Sequence, residues 1–124
     1  MPGPEIRQVD RNVSFVDQLA SGAGPVVLIN TFHVEPGTVE RMLECYALDA
    51  AFMRAQPGCI SAQLHRGVGN SSMFVNYAVW ESAEALDRAR SKPEFRALVD
   101  LFPEGMIASP LLVEKVAVPG ICLA

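Results

Sequence analysis

Two asparagines and the single tryptophan are the residues of this chain best placed to do chemistry. Along the apolar run Val26 to Val34, alternation puts Val26, Leu28, Asn30 and Phe32 on one face of a strand. Along Met73 to Trp80 it does the same for Phe74, Asn76, Ala78 and Trp80. Each carboxamide therefore points into an apolar row. A buried amide without a partner costs about 1–3 kcal/mol, so folding alone favours valine at both positions. Either the two amides bridge each other or a loop carbonyl, or they serve a ligand. The same choice holds for Trp80, which could simply fill the core. An apolar cleft furnished with two amides and an indole N–H suits a flat, oxygenated aromatic molecule, because such clefts orient ligands through a few polar groups.

Other chemistries find little support. The 2 histidines, His33 and His65, lie on different strands with no carboxylate at a recurring ligand spacing, so no metal site is expected. His33-Val34-Glu35-Pro36 begins like a zinc deaminase signature, but the Pro-Cys-x-x-Cys half is missing. Gly67-Val68-Gly69 lacks a third glycine and leads into a strand, where a dinucleotide fold needs a helix; it reads as a turn. No P-loop, nucleophile elbow or Cys-His-Asn series can be assembled. Cys45, Cys59 and Cys122 form no CxxC pair and are odd in number, which points to reduced, buried thiols.

Composition narrows the partners. With 14 acidic and 10 basic residues the net charge is -4, and no run of Lys or Arg could neutralise phosphates, so nucleic acid is excluded as a partner. Stretches such as Val26 to Ile29 fall far short of the roughly 20 apolar residues that span a bilayer. The first ten residues lack the basic-then-apolar pattern of a secretory leader, and a cytoplasmic protein is expected. A chain of 124 residues, 50% apolar and 19% charged, fits one packed domain.

The elements that position these residues follow from periodicity. Residues 1–24 read as an N-terminal extension in which Val13, Phe15, Val16 and Leu19 form one short amphipathic turn. After the first strand, Pro36-Gly37 and a capping Thr38 open a helix to about Ala55, its inner stripe formed by Val39, Met42, Leu43, Tyr46, Ala50 and Met53. Ile60 to Arg66 and Met73 to Trp80 form a hairpin across Gly67 to Ser71. Ser82 caps a helix over Ala83 to Arg90, and Pro93 starts a further turn through Leu101. Pro103, Gly105 and Pro110 mark a loop before a last strand, Leu111 to Val118; residues 119–124 are a tail. The order βαββαβ is that of an α+β, ferredoxin-like domain over residues 25–118 with an antiparallel sheet. Its two helices cover one face. The other face, with Val27, Ile29, Val75, Tyr77 and Val79, is left apolar and bare, which predicts dimerisation.

Three segments in this order, Phe32-His33-Val34-Glu35-Pro36-Gly37, Gln56-Pro57-Gly58-Cys59-Ile60-Ser61 and Asn76-Tyr77-Ala78-Val79-Trp80-Glu81-Ser82, resemble the antibiotic biosynthesis monooxygenase family. The resemblance covers roughly residues 25–118. It implies a dimeric α+β barrel of two ferredoxin-like units with a pocket between sheet and helices in each. Family members include cofactor-independent oxygenases that turn anthrones into quinones, haem-degrading monooxygenases and small-molecule isomerases. The quinone-forming branch is most similar around Asn-Tyr-Ala-x-Trp-Glu-Ser. The resemblance carries its catalytic Asn, Trp and Arg onto Asn76, Trp80 and Arg96, and its catalytic tyrosine onto Leu86. The haem-degrading branch is matched at Asn30, but its helical Trp and His fall on Ala89 and Val99, which leaves no axial imidazole.

The reading that follows is a cofactor-independent monooxygenase that oxidises a small aromatic or polycyclic phenol or anthrone with O2. Asn76 and Trp80 would donate to the substrate oxygen or peroxide, Arg96 would pair with the anion, and Asn30, Phe32, Phe74, Leu86 and His65 would line the substrate site. No cofactor or metal is required, because the substrate anion itself reduces O2. No obvious general base remains: proton removal would fall to His65, to a water or to the substrate's own acidity, and alternation in a regular strand sets His65 on the sheet face opposite Asn76. The alternatives are a dimer that binds an aromatic ligand without turning it over, and a haem-degrading or isomerase member of the family.

Overall fold

The computed structural model describes residues 3–124. Its elements are Glu5–Ile6 (β1), Phe15–Leu19 (α1), Val26–His33 (β2), Val39–Arg54 (α2), Cys59–Arg66 (β3), Met73–Trp80 (β4), Ala83–Arg90 (α3), Pro93–Val99 (α4) and Ile107–Val113 (β5). The β-branched and aromatic runs become the long strands, and local chemistry sets the helix starts. Ser82 Oγ accepts from the Ala85 N–H at 3.1 Å and caps α3. Pro93, with no N–H to lose, opens α4. Thr38 does not cap α2 as expected. Residues Pro36–Thr38 form one 3-10 turn, and the Thr38 hydroxyl donates backwards to the Glu35 carbonyl at 2.9 Å.

The sheet runs β1-β5-β2-β4-β3. β5, β2, β4 and β3 are antiparallel neighbours, as the ferredoxin-like pattern requires, and β1 adds parallel to β5, so the sheet is mixed rather than purely antiparallel. The last strand also begins earlier than expected and contains Pro110. The edge geometry explains why proline is tolerated. Ala108 turns its carbonyl outward to accept from Arg7 N at 2.9 Å, so Pro110, two residues on, points its nitrogen to the same side, beyond the end of β1. No ladder bond is lost there. One step further, the Leu112 N–H is taken up at 2.9 Å by Gln18 Oε1 of α1.

The helices pack on one sheet face, and the core beneath them is divided in two. One cluster gathers Phe15, Leu19, Leu28, Ala78, Trp80, Leu86 and Leu112; the other gathers Phe32, Met42, Cys45, Phe74, Phe102, Met106 and Ala108. The register shows what separates them. Leu28, Ala78 and Leu112 lie in one row and Phe32, Phe74 and Ala108 in another, with Asn30, Asn76 and Pro110 in the row between. A polar row interrupts an otherwise apolar layer. Of the three cysteines, Cys45 is buried, whereas Cys122 is exposed, so the thiols are not uniformly core residues. Among the described residues, no helix is long and apolar enough to cross a membrane.

Candidate active site

Over that polar row the helices stand off from the sheet and leave a cavity of about 390 Å³. Its size lies within the range of roughly 300–1,000 Å³ that holds small organic ligands. The sheet contributes Asn30, Phe32, Asn76 and Trp80; α2 contributes Tyr46 and Asp49; α3 contributes Leu86 and Arg90; α4 contributes Arg96. Residues before β2 complete the wall with Pro4, Ile6 and Phe15.

The polar groups here are arranged unlike those of an ordinary core. Asn30 and Asn76 are register partners, yet they do not bridge each other. Instead the Tyr46 hydroxyl donates to Asn76 Oδ1 at 2.8 Å. With its oxygen occupied, the Asn76 amide has its N–H groups left for another acceptor. Burial raises the pKa of Tyr46, and the Asp49 and Cys59 charges add to the effect, so the phenol stays neutral and remains a donor. Phe32 meets the Tyr46 ring edge-on at 6.5 Å and holds it in place. Among the described residues, three buried side-chain polar atoms have no hydrogen-bond partner: Asn30 Oδ1, Asp49 Oδ1 and Trp80 Nε1. All three residues line the one cavity.

Asp49 carries the largest electrostatic perturbation. Burial pushes its carboxyl up to about 6, against the opposing pull of Arg90. The two form no ion pair. The ion pairs among the described residues are Arg7–Glu5 and Arg88–Glu84, both at the surface. Arg90 is held by aromatic faces instead, its guanidinium 4.8 Å from the Phe15 ring and 5.6 Å from that of Phe95. Its pKa is lowered, by burial first and by Arg96 next, against Asp87 and Asp49. No three His, Cys, Asp or Glu side chains converge as a metal site among the described residues.

Of the residues singled out in the sequence, Asn30, Phe32, Asn76, Trp80, Leu86 and Arg96 meet at this cavity. His65 and Phe74 do not line it. His65 shares a register row with Val75, on the outer face of the sheet, where it meets Tyr77 edge-on at 6.4 Å. The strand's period of two puts it there, and no shift within β3 brings it back. Phe74 is on the inner face but one row beyond Asn76, 2% exposed in the second cluster, with the Arg66 guanidinium 5.1 Å from its ring. Arg96 is solvent-exposed at the cavity wall, while Arg90, passed over in the sequence, is the more buried cation.

Tyr46, Asp49 and Arg90 are the functional candidates that sequence reasoning missed. A signal for each was present. Asp49 stands three residues after Tyr46 and four before Met53, so a carboxylate interrupts the inner stripe of α2. Arg90 follows Leu86 by four and shares its face of α3.

Residues 25–101 match the model of the antibiotic biosynthesis monooxygenase family. Deoxynogalonate monooxygenase of Streptomyces nogalater is 36% identical over 73 residues, which span 59% of this chain and 61% of that protein, less than two-thirds of its length. Among solved structures, SnoaB, a cofactor-independent oxygenase from Streptomyces nogalater, superposes with a TM-score of 0.67 at 26% identity, covering 79% of this chain and 99% of that one. A protein of Shewanella loihica superposes with a TM-score of 0.66 at 31% identity, covering 77% and 98%. The family match begins at residue 25, so Pro4, Ile6 and Phe15 enter the cavity wall from outside it.

Proposed function

The chain belongs to the antibiotic biosynthesis monooxygenase family, and from that premise we propose that it is a cofactor-independent monooxygenase of small aromatic or polycyclic phenols or anthrones. The observation that carries this reading is the set of polar atoms left unpaired in an apolar cavity, Trp80 Nε1 and Asn30 Oδ1 foremost. A folded protein leaves such groups bare where a ligand is to meet them. In the proposed reaction the substrate anion is its own reductant for O2. Asn76, its amide oriented by Tyr46, and Trp80 donate to the oxyanion or peroxide as negative charge develops. Arg96 pairs with the anion at the rim, Asn30 accepts a substrate hydroxyl, and Phe32 and Leu86 enclose the ring. The half-exposed apolar outer face of the sheet supports a homodimer closed face to face.

Oxygen uptake with an anthrone as substrate tests the proposal. Wild type is expected to consume O2 and form quinone, with Asn76→Ala and Trp80→Phe each about 100-fold slower, or about 2.7 kcal/mol, the effect of one lost oxyanion donor. Equal rates in the three proteins remove it. One observation favours a second reading, a dimer that binds an aromatic ligand unchanged: Leu86, 0% exposed at the cavity wall, stands where the quinone-forming branch resembled above has a tyrosine. That reading expects an unmodified ligand retained through purification and no O2 consumption.

A further inference from the structure

The proposed oxygenation requires a group that takes a proton from the substrate, and neither His65 nor Leu86 can serve. His65 faces away from the cavity and Leu86 has no titratable atom. Resting on that functional reading, we infer that Asp49 is the general base of this site and carries both protons of the oxidised methylene in turn. The geometry supports it directly. Asp49 lines the cavity from α2 one turn after Tyr46, its Oδ1 is buried, and no hydrogen bond to it forms among the described residues. A carboxylate placed for structure alone is normally capped or paired. This one faces the same space as the Asn76 amide and the Trp80 indole, so a substrate held by its oxygen on those donors lies within the space that Asp49 also faces.

The step balances for an anthrone. Asp49 removes the first proton of the methylene, leaving an electron-rich anion. One electron passes to O2, and superoxide and the carbon radical combine to form the C–O bond of a peroxide. The protonated Asp49 returns its proton to the outer peroxide oxygen. It then takes the second proton from the same carbon while the O–O bond breaks, the carbonyl forms and hydroxide leaves; that hydroxide takes the proton from Asp49 as water. Methylene plus O2 becomes carbonyl plus H2O, with no external reductant.

The charged and titratable groups around Asp49 are consistent with this use. They are Tyr46 on α2, Cys59 on β3, Arg90 on α3, and Arg96 and Asp100 on and beside α4. Burial moves Tyr46 and Cys59 upward, away from neutrality. The Asp49 carboxyl, raised to about 6, is ionised at neutral pH yet a better proton acceptor than a surface aspartate.

The test uses the full chain, 1,8-dihydroxyanthrone and O2 uptake across pH 5 to 8. For wild type, kcat/KM is expected to rise with pH through a limb near 6 and then level off. Asp49→Asn is expected to lose about 100-fold or more in kcat, with KM little changed, and to lose that limb. Asp49→Glu, which keeps the carboxylate, is expected to retain part of the rate and a displaced limb. Retention of the wild-type rate and limb by Asp49→Asn, beside an impaired Asn76→Ala, overturns Asp49 as the base and leaves the oxygenase reading standing. No O2 uptake by wild type overturns both. If Asp49→Asn does not fold, the wild-type profile still decides: a flat kcat/KM from pH 5 to 7 overturns the inference.

Discussion

The two faces of the sheet depart from ordinary packing in opposite directions. The inner face is covered by helices and yet contains Asn30 and Trp80, whose buried Oδ1 and Nε1 meet a cavity instead of partners among the described residues, and Asn76, whose Oδ1 is bonded only to the Tyr46 hydroxyl; facing them from α2 is the unpaired Oδ1 of Asp49. Among the described residues no element covers the outer face, and yet it presents Val27, Ile29, Val75, Val79, Leu111 and Val113 in adjacent rows, with Tyr77 42% exposed and Met73 40% exposed. One face buries what water would solvate; the other exposes what water would expel. Each violation costs stability in the isolated chain, and each is relieved by a different guest. The inner groups suit a small molecule with hydroxyl and carbonyl oxygens, and the outer rows suit a second sheet of the same kind.

The sharpest way to break this comparison is to charge the outer face. Ile29 sits between Tyr77 and Leu111 in the sheet register, near the middle of the apolar rows. Ile29→Asp would place two unpaired carboxylates, one from each copy, in a dry interface, at a cost of several kcal/mol per ion. Light scattering on a sizing column is expected to give wild type at about twice the 13.4 kDa chain mass and Ile29→Asp at the mass of one chain. A monomeric wild type would mean that this face meets something other than its own copy.

The outer face and the strands were the legible part of the sequence, because a period of two is hard to mistake where valine, isoleucine and aromatics recur. Met73 to Trp80 begins and ends as periodicity requires, and the alternation that put Asn30 and Asn76 on one face is what the register displays. The errors have physical sources. Pro110 reads as a breaker because proline removes a donor, but whether that donor was needed depends on which edge the residue faces, and this is a property of the assembled sheet. β1 has two residues and no apolar pattern of its own; it exists because β5 offers it an open edge. Asp49 was hidden by a habit of inference. Acidic residues on helices are read as solvent-facing, and only the absence of a partner in three dimensions identifies this one as part of the site.

Asp49 gives the next prediction, and here stability and activity should move in opposite directions. Its pKa rises from an ordinary 3.8 to about 6 in the folded protein, so between those values the native state binds more protons than the unfolded chain. Stability therefore falls as pH rises through this window, and the full penalty, about 3 kcal/mol, is present above it. Asp49→Asn removes the charge. Urea unfolding at pH 7 is expected to show the variant more stable than wild type by up to about 3 kcal/mol, with a much smaller gap at pH 4. A variant less stable at pH 7 would show that the carboxylate holds the fold together, and the inner face would then not be the costly one.

The smallest effect, at Asn30, tests whether the polar row gives up packing for the sake of the cavity. Asn30 lies between Leu28 and Phe32 on its own strand and opposite Asn76, and its Oδ1 is buried without a partner. Asn30→Val continues the apolar row with the residue that a β-strand favours, and it removes an acceptor that only a ligand would satisfy. The expected gain is about 1 kcal/mol, read as a rise in Tm of about 4 °C for a chain of this size. O2 uptake with an anthrone is expected to fall in the same variant, chiefly through a higher KM, because the group lost orients the ring and does not stabilise the transition state. A fall in Tm would tie Asn30 to the fold. In that case the division of the core into two clusters would be a structural device of the sheet, and the cavity between them a consequence of it.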